Sequence, residues 1–479
     1  MKKSALYLFA ALLLLVTACD KGQLLDNLPP DTHISLQEIN LVGEDRLRSE
    51  VTLHWFGTDK DGWLTGYDLS FDGTTWSHVT TQDSTFNFDL PLNSDSTDID
   101  FFVRAIDNDG DVDQSPAYLR IPIKNSPPVA AFDTVRTLPD TGFVAITFFI
   151  NVEDLDGANN LDSIFLKLNN GSWYPLDPAT NTITLVPASP KVAGSGPAKV
   201  YVGTSADLQS ATIDGFNLEG DNTFLLKARD IAGAESIIDT SRTFFIKRQK
   251  SDLILIDGHA SGSSPTPEEV YATAFTGLFS TYDVRDLRIN NGANVPQVWG
   301  LTFPIYLSLY ESVFWYSDAS EEGVGLLEEA GGALQGYLTA GGKLLISTSF
   351  PNTFDNESVI QEFSPMDSLS TSQGLARIPL DSLVVPIAAN ASAYDSLEAS
   401  IFVGRATPFY VKSSAEPMFT ANLFTVNNWS GPNTVAARTR NGSGQTNMVF
   451  VSVELHQLAG RPQALKNFFN EVLLNEFNW

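Results

Sequence analysis

Between about residues 32 and 124, apolar and polar positions alternate in short runs: Val51-Thr-Leu-His-Trp55, Gly66-Tyr-Asp-Leu-Ser70 and Asp100-Phe-Phe-Val-Arg-Ala105. Successive side chains of a strand point to opposite faces, so a period of two predicts strands with one face in a core. Asp-Gly and Asn/Asp clusters separate the runs and predict hairpin turns, giving an antiparallel β-sandwich. Diprolines at Pro29-Pro30 and Pro127-Pro128 bracket the segment. Proline cannot donate to a strand ladder, so both pairs mark boundaries.

The pattern then recurs. Trp55-Phe-Gly-Thr-Asp-Lys-Asp-Gly62, Ser70-Phe-Asp-Gly-Thr-Thr-Trp76 and Phe102-Val-Arg-Ala-Ile-Asp-Asn-Asp-Gly110 are answered by three later phrases in the same order. These are Val152-Glu-Asp-Leu-Asp-Gly157, Leu168-Asn-Asn-Gly-Ser-Trp173 and Leu225-Leu-Lys-Ala-Arg-Asp-Ile-Ala-Gly233. Order and context together define an internal repeat. The two copies, 32–124 and 128–247, resemble bacterial immunoglobulin-like or fibronectin type III-like modules. The second is expected to carry an insertion from Pro187 to Gly203, rich in Pro, Gly and Ala.

After Lys247-Arg-Gln-Lys250 the grammar changes. Ser251-Asp-Leu-Ile-Leu-Ile-Asp257 is a continuous apolar run, as a strand buried on both faces requires. Thr266-Pro-Glu-Glu predicts a helix start, with an N-cap, proline at the first helical position and acids in the first turn. Further strands are expected at 282–288, 312–317, 343–349 and 447–453, with helices over 321–340 and 462–477; Gly341-Gly342 ends the first of these helices. Alternating β and α with continuous strands predicts a parallel sheet. The expected fold is therefore multidomain β plus α/β: two antiparallel β-sandwiches, then a parallel-sheet three-layer α/β domain over 251–479. Within it, about 354–445 reads as an insertion of short strands and loops.

The chain begins Met1-Lys2-Lys3, runs almost wholly apolar from Ala5 to Val16, and continues Thr17-Ala18-Cys19-Asp20. A spanning helix needs roughly 20 apolar residues, so this stretch has the length of a signal-peptide core. Val16-Thr-Ala-Cys19 resembles the lipobox of bacterial lipoproteins. The resemblance implies cleavage of 1–18, lipid on Cys19, and a tether over 19–31 that holds the chain to a membrane. The expected address is the cell envelope, with the outer membrane or cell surface favoured over the inner membrane. Asp20 would favour inner-membrane retention under the enterobacterial rule, which other phyla do not follow. Cys19 is the only cysteine, so the mature chain has no disulfide and no thiolate chemistry elsewhere.

Charge narrows the partners. Against 29 Lys and Arg stand 57 Asp and Glu, a net charge of −28. Such a surface repels nucleic acid, which is excluded as a partner, and favours divalent cations. Asp107-Asn-Asp-Gly-Asp-Val-Asp113 offers Asp107, Asp109, Asp111 and Asp113 in one turn, and Asp59 and Asp61 lie in another. Hard oxygen ligands suit calcium, although the spacing is not that of an EF-hand. The same acids also serve plain hairpin turns, and both readings stand. Trp63, Trp76 and Trp173 follow turns; core packing is the expected role, and stacking on sugar rings the alternative.

Gly341-Gly-Lys-Leu-Leu-Ile-Ser-Thr-Ser349 and Met448-Val-Phe-Val-Ser-Val-Glu-Leu-His456 resemble the class I glutamine amidotransferase-like, flavodoxin-like superfamily. The resemblance implies Ser349 at the nucleophile position, otherwise a cysteine, with His456 as base and Glu454 as nearby acid. The glycines that flank that nucleophile are absent here, with Ser347 and Pro351 in their stead. Asp257, His259 and Asp318 are expected at the carboxyl ends of strands, where α/β sheets form their ligand crevice. Ser261-Gly-Ser-Ser264 follows as a solvated loop or an anion site. The leading functional reading is a non-catalytic binding or assembly module with a protein or glycan ligand. A serine hydrolase acting through Ser349 and His456 and a carbohydrate-binding surface protein are the alternatives.

Overall fold

The structure is a computed structural model. It describes residues 26–36, 41–43, 46–47, 49–88, 90, 94–260, 266–288, 294–296, 298–351, 358–372 and 374–478. The signal segment, Cys19 and the Ser261–Ser264 loop lie outside the described residues. The chain divides into two compact units, one of 1–129 with 153–163 and 228–236, the other of 130–152, 164–227 and 237–479.

In the first unit a three-stranded sheet (Asp31–Leu36, Glu50–Thr58, Asp83–Asn87) and a six-stranded sheet share one core. The alternation read in the sequence is the cause. Val51, Leu53 and Trp55 point inward and meet Tyr67, Phe101, Val103, Ala105 and Ile121 of the larger sheet. The Trp55 indole N–H donates to the Thr81 carbonyl at 2.9 Å, so its one polar atom is satisfied inside the core.

The second unit holds the other sandwich, built on a five-stranded sheet and a four-stranded one. Phe148, Phe216, Phe224 and Phe244 fill its interior, with Phe224 edge-on to Phe244 at 4.9 Å. The expected insertion from Pro187 to Gly203 is no excursion. Thr182–Pro187 and Gly194–Val202 pair as a hairpin inside the five-stranded sheet, because the glycines and prolines sit at its turn and rim.

The remainder of this unit contains β1 (Leu253–Gly258), α1 (Pro267–Phe275), β2 (Asp283–Asp286), β3 (Ser312–Ser317), α2 (Glu321–Thr339), β4 (Lys343–Ser347), β5 (Thr446–Val451) and α3 (Pro462–Phe469). Strands pair in the order β2-β1-β3-β4-β5, all parallel. Every residue of β1 and β3 is buried, as their unbroken apolar runs require. Leu253, Leu255, Phe314 and Tyr316 pack with Tyr271 and Phe275 of α1 and Phe469 of α3.

The sheet is not purely parallel, which corrects the expectation. Thr434–Arg440 pairs antiparallel with β5, and Glu416–Ala421, Leu383–Pro386 and Leu397–Glu398 continue the sheet. Much of the expected insertion is thus sheet. Its strands are short and broken by Pro, Gly and Asn, so no continuous run announces them. The terminal helix is α-helical only to Phe469, then widens into a π-helical segment over Asn470–Glu476.

Helix ends follow the local chemistry. Thr266 and Glu269 form a reciprocal capping box at α1. Past α2, Gly341 takes φ +96°, a left-handed conformation that a side chain resists. Gly341→Ala is therefore expected to lower stability by about 1–2 kcal/mol in denaturant unfolding. A change near zero would contradict this reading of the turn.

Candidate functional site

Strand order reverses direction at β1, so the gap between the carboxyl ends of β1 and β3 is where such a sheet opens a crevice. His259 follows β1, Asp318 follows β3, Ser349 follows β4, and Glu454 and His456 follow β5. Four separate strands thus deliver side chains to one end of the sheet.

Glu454 is the hub. Its Oε1 accepts from the Ser349 hydroxyl at 2.6 Å. Its Oε2 accepts from Gln457 Nε2 at 2.8 Å and lies 3.1 Å from His259 Nε2 and 3.9 Å from His456 Nε2. The two imidazoles stand edge to face, centroids 5.1 Å apart. Ser349, Glu454 and His456 are therefore brought together, but in an order unlike a nucleophile–histidine–acid relay. The acid stands between serine and imidazole. Ser349 is also absent from the residues with left-handed backbone, so no strained elbow presents it.

Electrostatics separate the two histidines. Burial works against a charged His259, and the Glu454 carboxylate beside it outweighs that, raising its pKa above the usual histidine value. Burial dominates at His456 and holds it down to about 4, a neutral ring at physiological pH. Tyr271, beneath them, accepts the His456 backbone N–H through its hydroxyl at 3.2 Å.

Asp257 and Asp318 serve other groups. Burial, and then a hydrogen bond with Glu268, push Asp257 up to about 8, so that pair shares a proton. Asp318 accepts the Ala260 N–H at 2.8 Å and meets Arg288 at 3.2 Å. Burial acts to raise its pKa, and the bonds from Ser320 and Ala260 outweigh it. Sequence reading missed Glu268, Arg288 and Gln457. Glu268 had a sufficient local role as a first-turn acid, and only the fold carries it to Asp257.

The sandwich acids form a second, repeated arrangement in the first unit. Asn27 Nδ2 donates to Asp107 Oδ2 at 2.6 Å and to Asp111 Oδ2 at 3.0 Å, and the Leu28 N–H to Asp61 Oδ2 at 3.1 Å. In the next copy Asn125 Nδ2 donates to Asp230 Oδ2 at 2.5 Å, and the Ser126 N–H to Asp156 Oδ2 at 2.5 Å. Both Asn-x-Pro-Pro segments are thus held by equivalent aspartates. The first acid of each Asp-x-Asp-Gly keeps a buried, unpartnered oxygen, Asp59 Oδ2 and Asp154 Oδ2. Burial, then the charges of Asp156 and Asp230, push Asp154 up to about 6. Asp113 stands apart, accepting from Ser115, and Asp109 is exposed.

The expected core role of the three tryptophans is corrected: none is buried. Trp63 is 69% exposed, Trp76 lies under the Arg104 guanidinium at 4.2 Å, and Trp173 lies 5.0 Å from the Lys227 ammonium. Among the described residues the core indoles are Trp55 and Trp315.

No protein-family model matches the chain, and no curated protein matches it. Solved structures show a low likeness to parts of the chain. Fibronectin(III)-like modules of Clostridium thermocellum CbhA are 13% identical over 45% of this chain and 94% of that one, with a TM-score of 0.16. The PKD1 domain of Vibrio cholerae metalloprotease PrtV is 15% identical over 20% and 99%, TM-score 0.16. Carbohydrate-binding modules of the β-sandwich superfamily are 15% identical over 42% and 59%, TM-score 0.17. The sheets themselves show a β-rich multidomain fold with two β-sandwiches. No ligand or activity is carried over at these scores. No helix among the described residues is long and apolar enough to cross a membrane.

Proposed function

We propose that this protein is a lipid-anchored, extracytoplasmic binding or assembly module whose C-terminal domain is a non-catalytic relative of the class I amidotransferase-like fold. The strand order β2-β1-β3-β4-β5 is that of flavodoxin-like sheets and supports the resemblance. The observation that carries the non-catalytic reading is the bond from Ser349 to Glu454. A serine needs a base aligned on its proton and an oxyanion hole around the developing charge. Here its hydroxyl is given to the acid that also meets both imidazoles. Ester and amide substrates screened against the wild type and Ser349→Ala are expected to show equal, background turnover. Loss of a measurable rate on the substitution would establish the hydrolase instead.

Anchoring rests on Val16-Thr-Ala-Cys19. Labelled palmitate is expected to enter the wild-type chain and not Cys19→Ala; equal labelling of both would refute the anchor.

A calcium reading of the sandwich acids is favoured by the unpartnered Asp59 Oδ2 and Asp154 Oδ2. Buried carboxylate oxygens without donors are costly, and a cation relieves them. Calcium titration of the full chain is expected to release or absorb heat and raise the melting temperature. Asp59→Asn with Asp154→Asn should abolish both effects. Absence of heat and of stabilisation in the wild type would leave these acids as turn and linker acceptors.

A further inference from the structure

We infer that His259, His456 and Glu454 form a binding site for a divalent transition-metal ion of the zinc, cobalt or nickel type. The inference rests on reading the crevice as a binding site and names what it holds. One ligand atom from each residue falls within 4.8 Å of the others. Around an ion bound at 2.0–2.1 Å in tetrahedral geometry, ligand atoms stand about 3.4 Å apart. The separations of 3.1 and 3.9 Å from Glu454 Oε2 to the two imidazole nitrogens straddle that spacing. Small side-chain shifts would close the site around an ion.

The surroundings orient the ligands. His259 Nδ1 lies 2.6 Å from the Ala260 carbonyl oxygen. A carbonyl only accepts, so Nδ1 carries the proton and Nε2 faces Glu454 with either a second proton or a lone pair. A metal takes the place of that second proton. Such a backbone bond on the far nitrogen is the usual orienting device of ligating histidines. On the other side, the Ser349 hydroxyl fixes the second oxygen of Glu454.

Size and chemistry narrow the ligand. Side-chain exposure is 9% for His259, 11% for Glu454 and 3% for His456, so the ligand atoms are shielded and offer an organic molecule little surface to contact. Two imidazoles with one carboxylate suit borderline transition metals, whereas calcium and magnesium take oxygen donors. Three protein ligands leave a fourth position for water or a partner's side chain.

The test uses the full chain, stripped with a chelator and titrated with cobalt(II) in excess calcium, which occupies any oxygen-only sites. One equivalent is expected to give the visible bands of a low-coordinate imidazole–carboxylate complex. His456→Ala and Glu454→Gln should lose the bands, and Ser349→Ala should weaken binding about 10–100-fold by releasing the ligand's second oxygen. His78→Ala, an exposed imidazole, should change nothing. Circular dichroism checks folding, and if His456→Ala is unfolded, His259→Gln decides. No bands in the wild type, or bands unchanged in folded variants, would overturn the site. That failure leaves the non-catalytic reading standing, since the latter falls only to a rate that depends on Ser349.

Discussion

Replacing Glu454 with alanine is expected to cost about 3–5 kcal/mol of stability, measured by denaturant unfolding in chelator. The carboxylate is nearly buried and is the counter-ion of His259, whose ring is 9% exposed. It also accepts the Ser349 hydroxyl and the Gln457 amide. Alanine removes the carboxylate that holds a charge on the buried His259 ring and leaves the Ser349 and Gln457 donors without an acceptor, and unpaired buried groups carry their full desolvation cost. The deficit should depend on pH in a definite direction. His259 has a raised folded pKa. The pair's contribution is complete below the unfolded value of about 6.5 and is lost as pH rises through the folded one. The gap between wild type and Glu454→Ala should therefore narrow on going alkaline. Glu454→Gln, which keeps an acceptor for Ser349, should cost less. A loss under about 1 kcal/mol for alanine would mean that the crevice is open to water and the hub unimportant.

Trp55→Ala is expected to cost a similar about 3–5 kcal/mol, through the first sandwich. The indole is 1% exposed, lies 5.9 Å from Phe101 and 6.5 Å from Tyr67, and bonds the Thr81 carbonyl. Removing it opens a large cavity between two sheets, which stiff strand backbones close only in part. Trp55→Phe retains most of the volume and gives up the hydrogen bond, so about 1–3 kcal/mol is expected. Urea unfolding followed by far-ultraviolet dichroism checks both. Equal losses would show that the hydrogen bond, not the packing, dominates.

What the sequence made legible was whatever depends on neighbours along the chain. Alternation over residues 50–58 produced a half-buried strand because burial there is decided one residue at a time. Thr266 and Glu269 announced a helix start because a capping box is complete within four positions. The unbroken apolar run at 253–256 revealed a strand covered on both faces. Legibility ended where partners come from distant segments. Thr434–Arg440 fell within an expected insertion of short strands and loops, and its place in the main sheet is set by pairing with β5 rather than by its own pattern. Trp63 looked like core because an indole is commonly buried, yet it stands in the turn just before the strand Leu64–Ser70 and is 69% exposed.

The crevice shows the same division. The positions of His259 and Asp318 at strand ends followed from β/α alternation, and those of Ser349 and His456 from the resemblance to the amidotransferase-like superfamily. Their pairing did not, because it depends on side-chain directions across four strands. Glu454 was read as an acid near His456. That it would also take the Ser349 hydroxyl depends on β4 and β5 lying side by side, with Leu344 against Met448 and Ser347 against Val451. The repeated clamp on Asn27 and Asn125 was visible only as a recurring phrase until the hydrogen bonds gave it a purpose.

Fluorophosphonate labelling of the purified full chain, read by mass spectrometry at Ser349, tests the central claim most directly. Serines activated by a base and an oxyanion hole react with such probes stoichiometrically. With its hydroxyl committed to Glu454, Ser349 is expected to remain unmodified and indistinguishable from the background of other serines. Stoichiometric phosphonylation of Ser349, lost on heat denaturation, would contradict the non-catalytic account and make the crevice an active site.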